Sequence, residues 1–195
     1  DEVAYRLLIS ENVAERYTVK DVCTLSKGRT AIQKAEEGEY PLVVTTVQRK
    51  TSREYQFDTE AVCIPLVSSR GHGVASLNHV YYQEGKFALG NILCAMIAKD
   101  KEFVSAKYLY YYFECTKEYT LVPLMKGGAN VAMHISDIEK VEVPIPDVEK
   151  QKEIIGKLEK LEEYCNVILP AEIKARQKQY EYYRNKLLTF KERIV

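Results

Sequence analysis

Hydrophobic and polar positions follow two different rhythms along this chain, and the change falls near Asp147. Before it, short apolar or β-branched runs are bounded by Gly, Pro, Ser or Asp: Tyr40–Thr46 (YPLVVTT), Ala61–Val67 (AVCIPLV) and Ile92–Ala98 (ILCAMIA). That is a strand signature, and near-continuous apolarity within each run predicts a central sheet buried on both faces. The stretch Gly71–Gly85 predicts a further pair of strands, one of them over His79–Gln83. In Ser105–Thr116 the period changes: Tyr108, Leu109, Tyr112 and Phe113 recur at helical spacing, and Ser105 suits an N-cap. Ser136 followed by Glu139 fits a capping box opening a short helix. Val141–Pro146 (VEVPIP) has to be extended, because each proline disfavours helix in the residue before it.

After Asp147 the pattern is helical and highly charged. Ile154, Leu158, Leu161, Cys165 and Ile168 alternate steps of four and three, the seam of a heptad repeat. Pro170 interrupts it. Ile173, Tyr180 and Leu187 then keep a seven-residue period, with Tyr183 and Phe190 three residues behind the last two. A helix over about 171–190 would be on the order of 30 Å long. Its apolar stripe needs cover, and three covers are open: the chain's own globular part, a second copy, or another protein. The length and mixed charge favour a helix–helix partner.

A chain of 195 residues and 22.4 kDa suits one moderately large domain plus an appendage. No apolar stretch approaches the roughly 20 residues a membrane span needs. The chain opens DEVAYRLLIS, with acids where a signal peptide would be basic and without an initiator Met, so the expectation is a cytoplasmic protein that is a half-length form or a fragment. Cys23, Cys63, Cys94, Cys115 and Cys165 form no C-x-x-C and are expected to be buried free thiols. Net charge is zero, which argues against a surface that binds polyanions everywhere. Its distribution is uneven: acids are absent from Ala61–Gln83, which holds Arg70, His72 and His79, and from Leu121–Ser136, which holds Lys126 and His134. Local basic loops could therefore bind DNA, aided by a more basic partner.

Two segments carry a resemblance. Ile145–Ile154 (IPDVEKQKEI), followed by Leu158 and Leu161, resembles the junction between recognition domain and conserved helix in type I restriction-modification specificity (S) subunits. Gln179–Phe190 (QYEYYRNKLLTF) is similar to that family's helical ending almost letter for letter. Asp21–Gly28, Tyr40–Thr46 and Gly85–Gly90 match further landmarks, so the likeness covers roughly residues 17–190. It implies an α+β fold: a mixed-sheet target recognition domain over residues 1–147, then long α-helices over residues 148–195 forming an antiparallel, coiled-coil-like dimer arm. Family members read bipartite double-stranded DNA sites. Their helices act as a ruler and dock methyltransferase (M) subunits that bind S-adenosylmethionine, and R subunits add nuclease and translocase activity. The resemblance thus implies a non-catalytic specificity subunit with no cofactor of its own. This chain departs from the usual pattern in having one recognition domain and one helical region instead of two of each, Asp147 in place of a junction proline, and Pro170 within the helices.

Base edges are read by Arg or Lys at guanine and Asn or Gln at adenine. The candidates are Lys27 and Arg29 after the first strand; Gln48, Arg49, Lys50 and Arg53; Ser69, Arg70 and His72; and Lys126, Asn130 and His134. Each has a plainer alternative. Arg49–Arg53 could be a solvated loop, His72 a turn residue between glycines, and Lys126–His134 a loop that touches only phosphate, which positions without specifying. Of the 15 tyrosines, Tyr110–Tyr112, Tyr180, Tyr182 and Tyr183 fall mostly at helical core spacing, which favours core or interface over stacking platforms. Partner-helix candidates are Ile154, Leu158, Leu161 and Ile173, then Tyr180, Tyr183, Leu187 and Phe190, through which two chains would pair head to tail and present a palindromic bipartite site.

Enzyme signatures are missing. Pro146-Asp147 with Glu149 and Lys150 has the letters of a nuclease motif, but one helical turn cannot splay them around a metal, and Asp147 as an N-cap explains them better. There is no Walker loop, no G-x-G-x-x-G cofactor turn and no N-P-P-[FY] methyltransferase motif. Three histidines without a Cys or Asp cluster argue against a zinc centre. Two other functions remain open: a similar specificity domain serving a fused restriction-methyltransferase, and a helical scaffold without DNA specificity.

Overall fold

The computed structural model describes residues 14–33, 35–46, 48, 50–70 and 73–188, with the backbone but not the side chains of Leu187 and Leu188. The architecture is α+β, and the chain divides into two compact units, Asp1–Ile155 and Gly156–Val195.

In the first unit, β1 (Glu15–Thr18) runs antiparallel to β10 (Glu142–Ile145), Glu15 opposite Ile145 and Thr18 opposite Glu142. Thr18 and Asp21 close a reciprocal capping box around α1 (Val19–Val22). The hydrogen bond from the Thr18 hydroxyl holds the Asp21 carboxyl below its ordinary value. The central sheet has the order β2 (Cys23–Lys27), β9 (Leu93–Ala98), β6 (Ala61–Pro65), β7 (Tyr81–Gln83), all antiparallel. A second sheet has the order β4 (Lys50–Ser52), β3 (Tyr40–Val43), β8 (Lys86–Leu89), β5 (Phe57–Asp58), with β3 and β8 parallel.

The two sheets share one core, where Val43, Phe87 and Leu89 pack with Ala61, Cys63, Leu93 and Ala95. Strand side chains alternate faces. Val62, Ile64, Cys94 and Met96 therefore lie on the other side of the central sheet, and α2 (Ala106–Thr120) packs against β6 and β7. Cover on both sides is why β6 and β9 read as unbroken apolar runs. Ser105 caps α2, its hydroxyl accepting from the Lys107 N–H at 3.2 Å. Asp147 caps the next long helix, α4 (Val148–Glu163), accepting from the Lys150 N–H at 2.9 Å.

Four expectations need correction. Gly71–Gly85 holds one strand among its described residues, β7, and not two. The Ser68 hydroxyl accepts the Ser76 N–H and the Ser69 hydroxyl the Asn78 N–H, so side chains take donors a second ladder would have used. The short helix α3 spans Ile135–Ile138 with His134 at its N-cap, which puts Ser136 inside it and leaves no capping box. The Met133 N–H bonds the Leu66 carbonyl, so the chain is held extended up to His134. Cys115 is half-buried and Cys165 exposed, unlike the buried Cys23, Cys63 and Cys94. Pro170 does not break the helix: a π turn (Tyr164–Ile168) joins α4 to α5 (Leu169–Leu188), and the Leu169 N–H reaches the Tyr164 carbonyl. Proline lacks the N–H for an ordinary turn and its ring crowds the carbonyl four residues before it, and a locally wider turn relieves both.

α4 crosses the division at Ile155, so its opening turns belong to the globular unit. There Gln151 is 1% exposed and acts as a hub: its Oε1 accepts from the Ser105 N–H, and its Nε2 donates to the carbonyls of Phe103 and Pro146, each at 2.9 Å. Ile154 is buried there too. In the second unit Leu158 is buried and Leu161 half-buried, and farther along the seam Cys165 and Ile168 are exposed, as are Ile173 at 50%, Tyr180 at 67% and Tyr183 at 52%. The Leu187 side chain and Phe190 lie outside the described residues.

Candidate nucleic-acid interface

The central sheet ends in a set of loops that hold one another. β2 and β6 run toward this end and β9 starts from it, which brings together Gly28–Thr30, Leu66–Arg70 and Gly90–Ile92. A fourth piece closes the set. Lys126 and Ala132 exchange two backbone hydrogen bonds of 2.8 and 3.0 Å, and the turn between them passes Gly127 at φ 136°, a conformation open to glycine. That hairpin is stitched to the loop after β6 by Ser68 N–H to Val131 O at 2.9 Å and Met133 N–H to Leu66 O at 2.8 Å.

Lys27, Asn91, His134 and Ser136 face a shared cleft of about 500 Å³, whose apolar wall includes Val67 and Ile92. None of the described residues that line it is a carboxylate. The loop carrying Lys27 is fixed from outside the strand order. Gln56 donates to the Lys27 carbonyl and accepts from the Arg29 N–H, both at 2.9 Å, so one carboxamide grips the chain on either side of Gly28. Gly28 is buried against Gly90, and a Cβ at Gly28 would overlap the Gly90 carbonyl oxygen. Glycine there lets the two loops touch.

The predicted residues separate accordingly. Lys27 and His134 line the cleft, and Lys126 and Asn130 sit on the glycine hairpin beside it. Arg70 is exposed on the loop bonded to that hairpin, whereas the Ser69 hydroxyl is committed to the Asn78 N–H. Arg29 projects from the loop held by Gln56. Gln48 and Lys50 are exposed in the β3–β4 hairpin, whose β3 arm reaches this end through Gly90 N–H to Val43 O. Arg53 stands apart, because its guanidinium is paired with Glu36 at 2.8 Å. Arg49 and His72 lie outside the described residues. Among the described residues, Lys27, Arg29, Lys50, Arg70 and Lys126 are exposed cations without an ion-pair partner. Exposed cations of this kind are what a phosphate backbone neutralises.

Two site residues escaped the sequence reading. Gln56 lies 27 and 29 positions from its partners, too far for any local pattern to reveal. Asn91 had a weak signal, a carboxamide after Gly90 just ahead of a strand. The remaining chemistry is quiet. Among the described residues, no group of three or more His, Cys, Asp or Glu is placed to hold a metal. Burial pushes the thiols of Cys23 and Cys94 up to about 12 and that of Cys63 up as well, which keeps them protonated. Three of the α2 tyrosines are structural: Tyr108, Tyr111 and Tyr112 are buried, and the Tyr108 hydroxyl donates to the Pro144 carbonyl.

Residues 13–188 match the profile of the type I restriction modification DNA specificity domain. The chain belongs to that family. Among relatives of this specificity domain, the type I restriction enzyme MpnII specificity subunit of Mycoplasma pneumoniae is 29% identical over 189 residues, covering 90% of this chain and 53% of that one. The EcoR124I/EcoR124II specificity subunit of Escherichia coli is 34% identical over 93 residues, 46% of this chain and 23% of that one. Of solved structures, the type I restriction-modification S subunit from M. genitalium superposes with a TM-score of 0.64 at 20% identity, over 93% of this chain and 48% of that one. The HsdS subunit from Thermoanaerobacter tengcongensis gives 0.59 at 15% identity, over 91% and 48%. The specificity domain described here matches two curated relatives along 90% of its own length while spanning 58% and 53% of theirs.

Proposed function

We propose that this chain is the sequence-reading subunit of a type I restriction-modification enzyme, holding one half of a bipartite DNA site. It carries no catalytic step. Methyltransferase subunits that bind S-adenosylmethionine would be placed by it, and restriction subunits would join through them. The observation that supports this most is the gathering, among the described residues, of cations without ion-pair partners and of a cleft lined by no carboxylate at one end of a doubly covered sheet, in a chain of the specificity-domain family. A rigid sheet suits loops that must match a groove, since positions set by packing cost little ordering on binding.

The second unit supports the other part of the reading. Its exposed Ile173, Tyr180 and Tyr183 would pair with a second copy, head to tail, so that two identical readers face a palindromic bipartite site in the cytoplasm. No helix among the described residues is long and apolar enough to cross a membrane.

The test is a gel-shift titration of the chain with its methyltransferase subunit on random and selected duplexes over a range of salt. Sequence reading predicts complexes on particular duplexes that survive excess competitor. A helical scaffold without DNA specificity predicts that retention, if any, is the same for every sequence. Service to a fused restriction-methyltransferase is distinguished by which enzyme co-purifies with the chain.

A further inference from the structure

We infer that Asn91 is a specificity-determining residue, and that the cleft it faces reads an A·T base pair through the major groove. The inference rests on the DNA-reading function proposed above and adds what is read and by which atom.

The first ground is chemical. An adenine presents N7 as acceptor and N6–H as donor, a pattern that a carboxamide meets with two hydrogen bonds, and the paired thymine adds a methyl group. Asn91 is the one carboxamide among the described residues lining the cleft, and apolar Val67, Ile92 and Ile135 stand with it as a surface for the methyl. No carboxylate is present among them to accept from cytosine, and no arginine to fork onto guanine. Lys27 is the lining cation, suited to a phosphate or to a neighbouring base.

The second ground is rigidity. A residue that reads a base has to be held before the base arrives, because each freely rotating group costs affinity on ordering. The backbone about Asn91 is pinned on both sides: its own N–H bonds the Thr30 carbonyl at 3.0 Å, Gly90 N–H bonds Val43 O at 2.9 Å, and Leu93 N–H bonds Gly90 O at 3.0 Å. Gly90 is buried and Asn91 is exposed. The side chain therefore stands on a turn anchored to β3, to the Gln56-held loop and to the start of β9, while its carboxamide remains open to the cleft.

The experiment is a selection of duplexes from a randomised library by the full chain in complex with its methyltransferase subunits, followed by affinities on the selected site. Asn91→Ala is expected to keep the melting temperature, to lose preference for adenine at one position by roughly 5- to 150-fold, and to keep preference at the others. Replacing that adenine by 7-deazaadenine is expected to weaken the unmodified protein and to leave Asn91→Ala unaffected. An unchanged selected site, or a uniform loss at every position, would overturn the inference while leaving DNA reading intact. If the unmodified complex selects no sequence at all, the DNA-reading function falls and the assignment of Asn91 falls with it.

Discussion

Gln56 joins two levels of the molecule, because one side chain satisfies a carbonyl and an amide on opposite sides of the glycine that lets two loops meet. Gln56→Ala leaves the Lys27 carbonyl and the Arg29 N–H to water, and as both are near the surface the loss of stability should be about 1–2 kcal/mol by urea unfolding. The larger effect is expected in DNA binding, which should weaken several-fold at every sequence as Lys27 and Arg29 lose their fixed positions. Fluorescence titration at two salt concentrations would detect it, and a variant that binds like the unmodified protein would remove Gln56 from the site. Arg70 and Lys126 pose a different question. Both are exposed, so Arg70→Ala and Lys126→Ala should change stability by no more than about 0.5 kcal/mol. A phosphate contact would lower the salt slope by about one and affect all sequences alike, whereas a base contact would cost about 1–3 kcal/mol at one position. Residue type alone singled out as candidates Lys27 and His134, which the fold brings to one cleft, and Lys126 on the hairpin beside it. It could not show that Arg53 is held by Glu36 or that the Ser69 hydroxyl serves Asn78, because both pairings depend on chain segments meeting in space.

At the scale of elements, local rules succeeded where the signal was local. The unbroken apolar runs became β6 and β9, buried on both faces, and Ser105 and Asp147 became caps because capping involves residues two or three positions apart. They failed where distant backbone took over. The chain before Ile135 is pinned to Leu66, so α3 begins without the box that Ser136 and Glu139 spell out. Pro170 is tolerated by a π turn that no propensity scale anticipates. The junction of α2, β10 and α4 tests how far one buried amide organises elements. Gln151→Leu keeps the volume but leaves the Ser105 N–H and the carbonyls of Phe103 and Pro146, all part-buried, without their partner. The expected loss is about 3 kcal/mol in chemical denaturation, with the midpoint lowered and the slope unchanged. Gln151→Glu keeps the acceptor for Ser105 but sets a carboxylate against two carbonyls, so it should be no better tolerated and should improve as pH falls and the acid becomes neutral.

At the scale of the molecule, the strand order 2-9-6-7 and the second sheet with its parallel pair were beyond the reach of the sequence, since pairing joins residues tens of positions apart and one register slip would reverse every face. The helical seam was legible, and its two halves have different fates. Ile154 and Leu158 are buried within the chain, while Ile173, Tyr180 and Tyr183 are at least half exposed. A stripe of that kind along α5 is costly in water and is relieved by association. If the partner is a second copy, the seam is the same patch on both chains and the interface is self-complementary, so a single substitution is felt twice. Ile173→Glu and Tyr180→Glu would each place two carboxylates in an apolar contact, and either should convert a micromolar dimer to monomer in sedimentation velocity. Thermal stability of the first unit should stay the same, because neither side chain is buried in the isolated chain. The variants should also separate the two parts of the function. Binding to a single half-site duplex should persist, whereas the added affinity for a correctly spaced bipartite duplex, which comes from linking two readers, should disappear. An unmodified chain that remains monomeric at tens of micromolar, with both variants matching it on bipartite DNA, would refute pairing with a second copy and leave the methyltransferase subunit as the cover for this stripe.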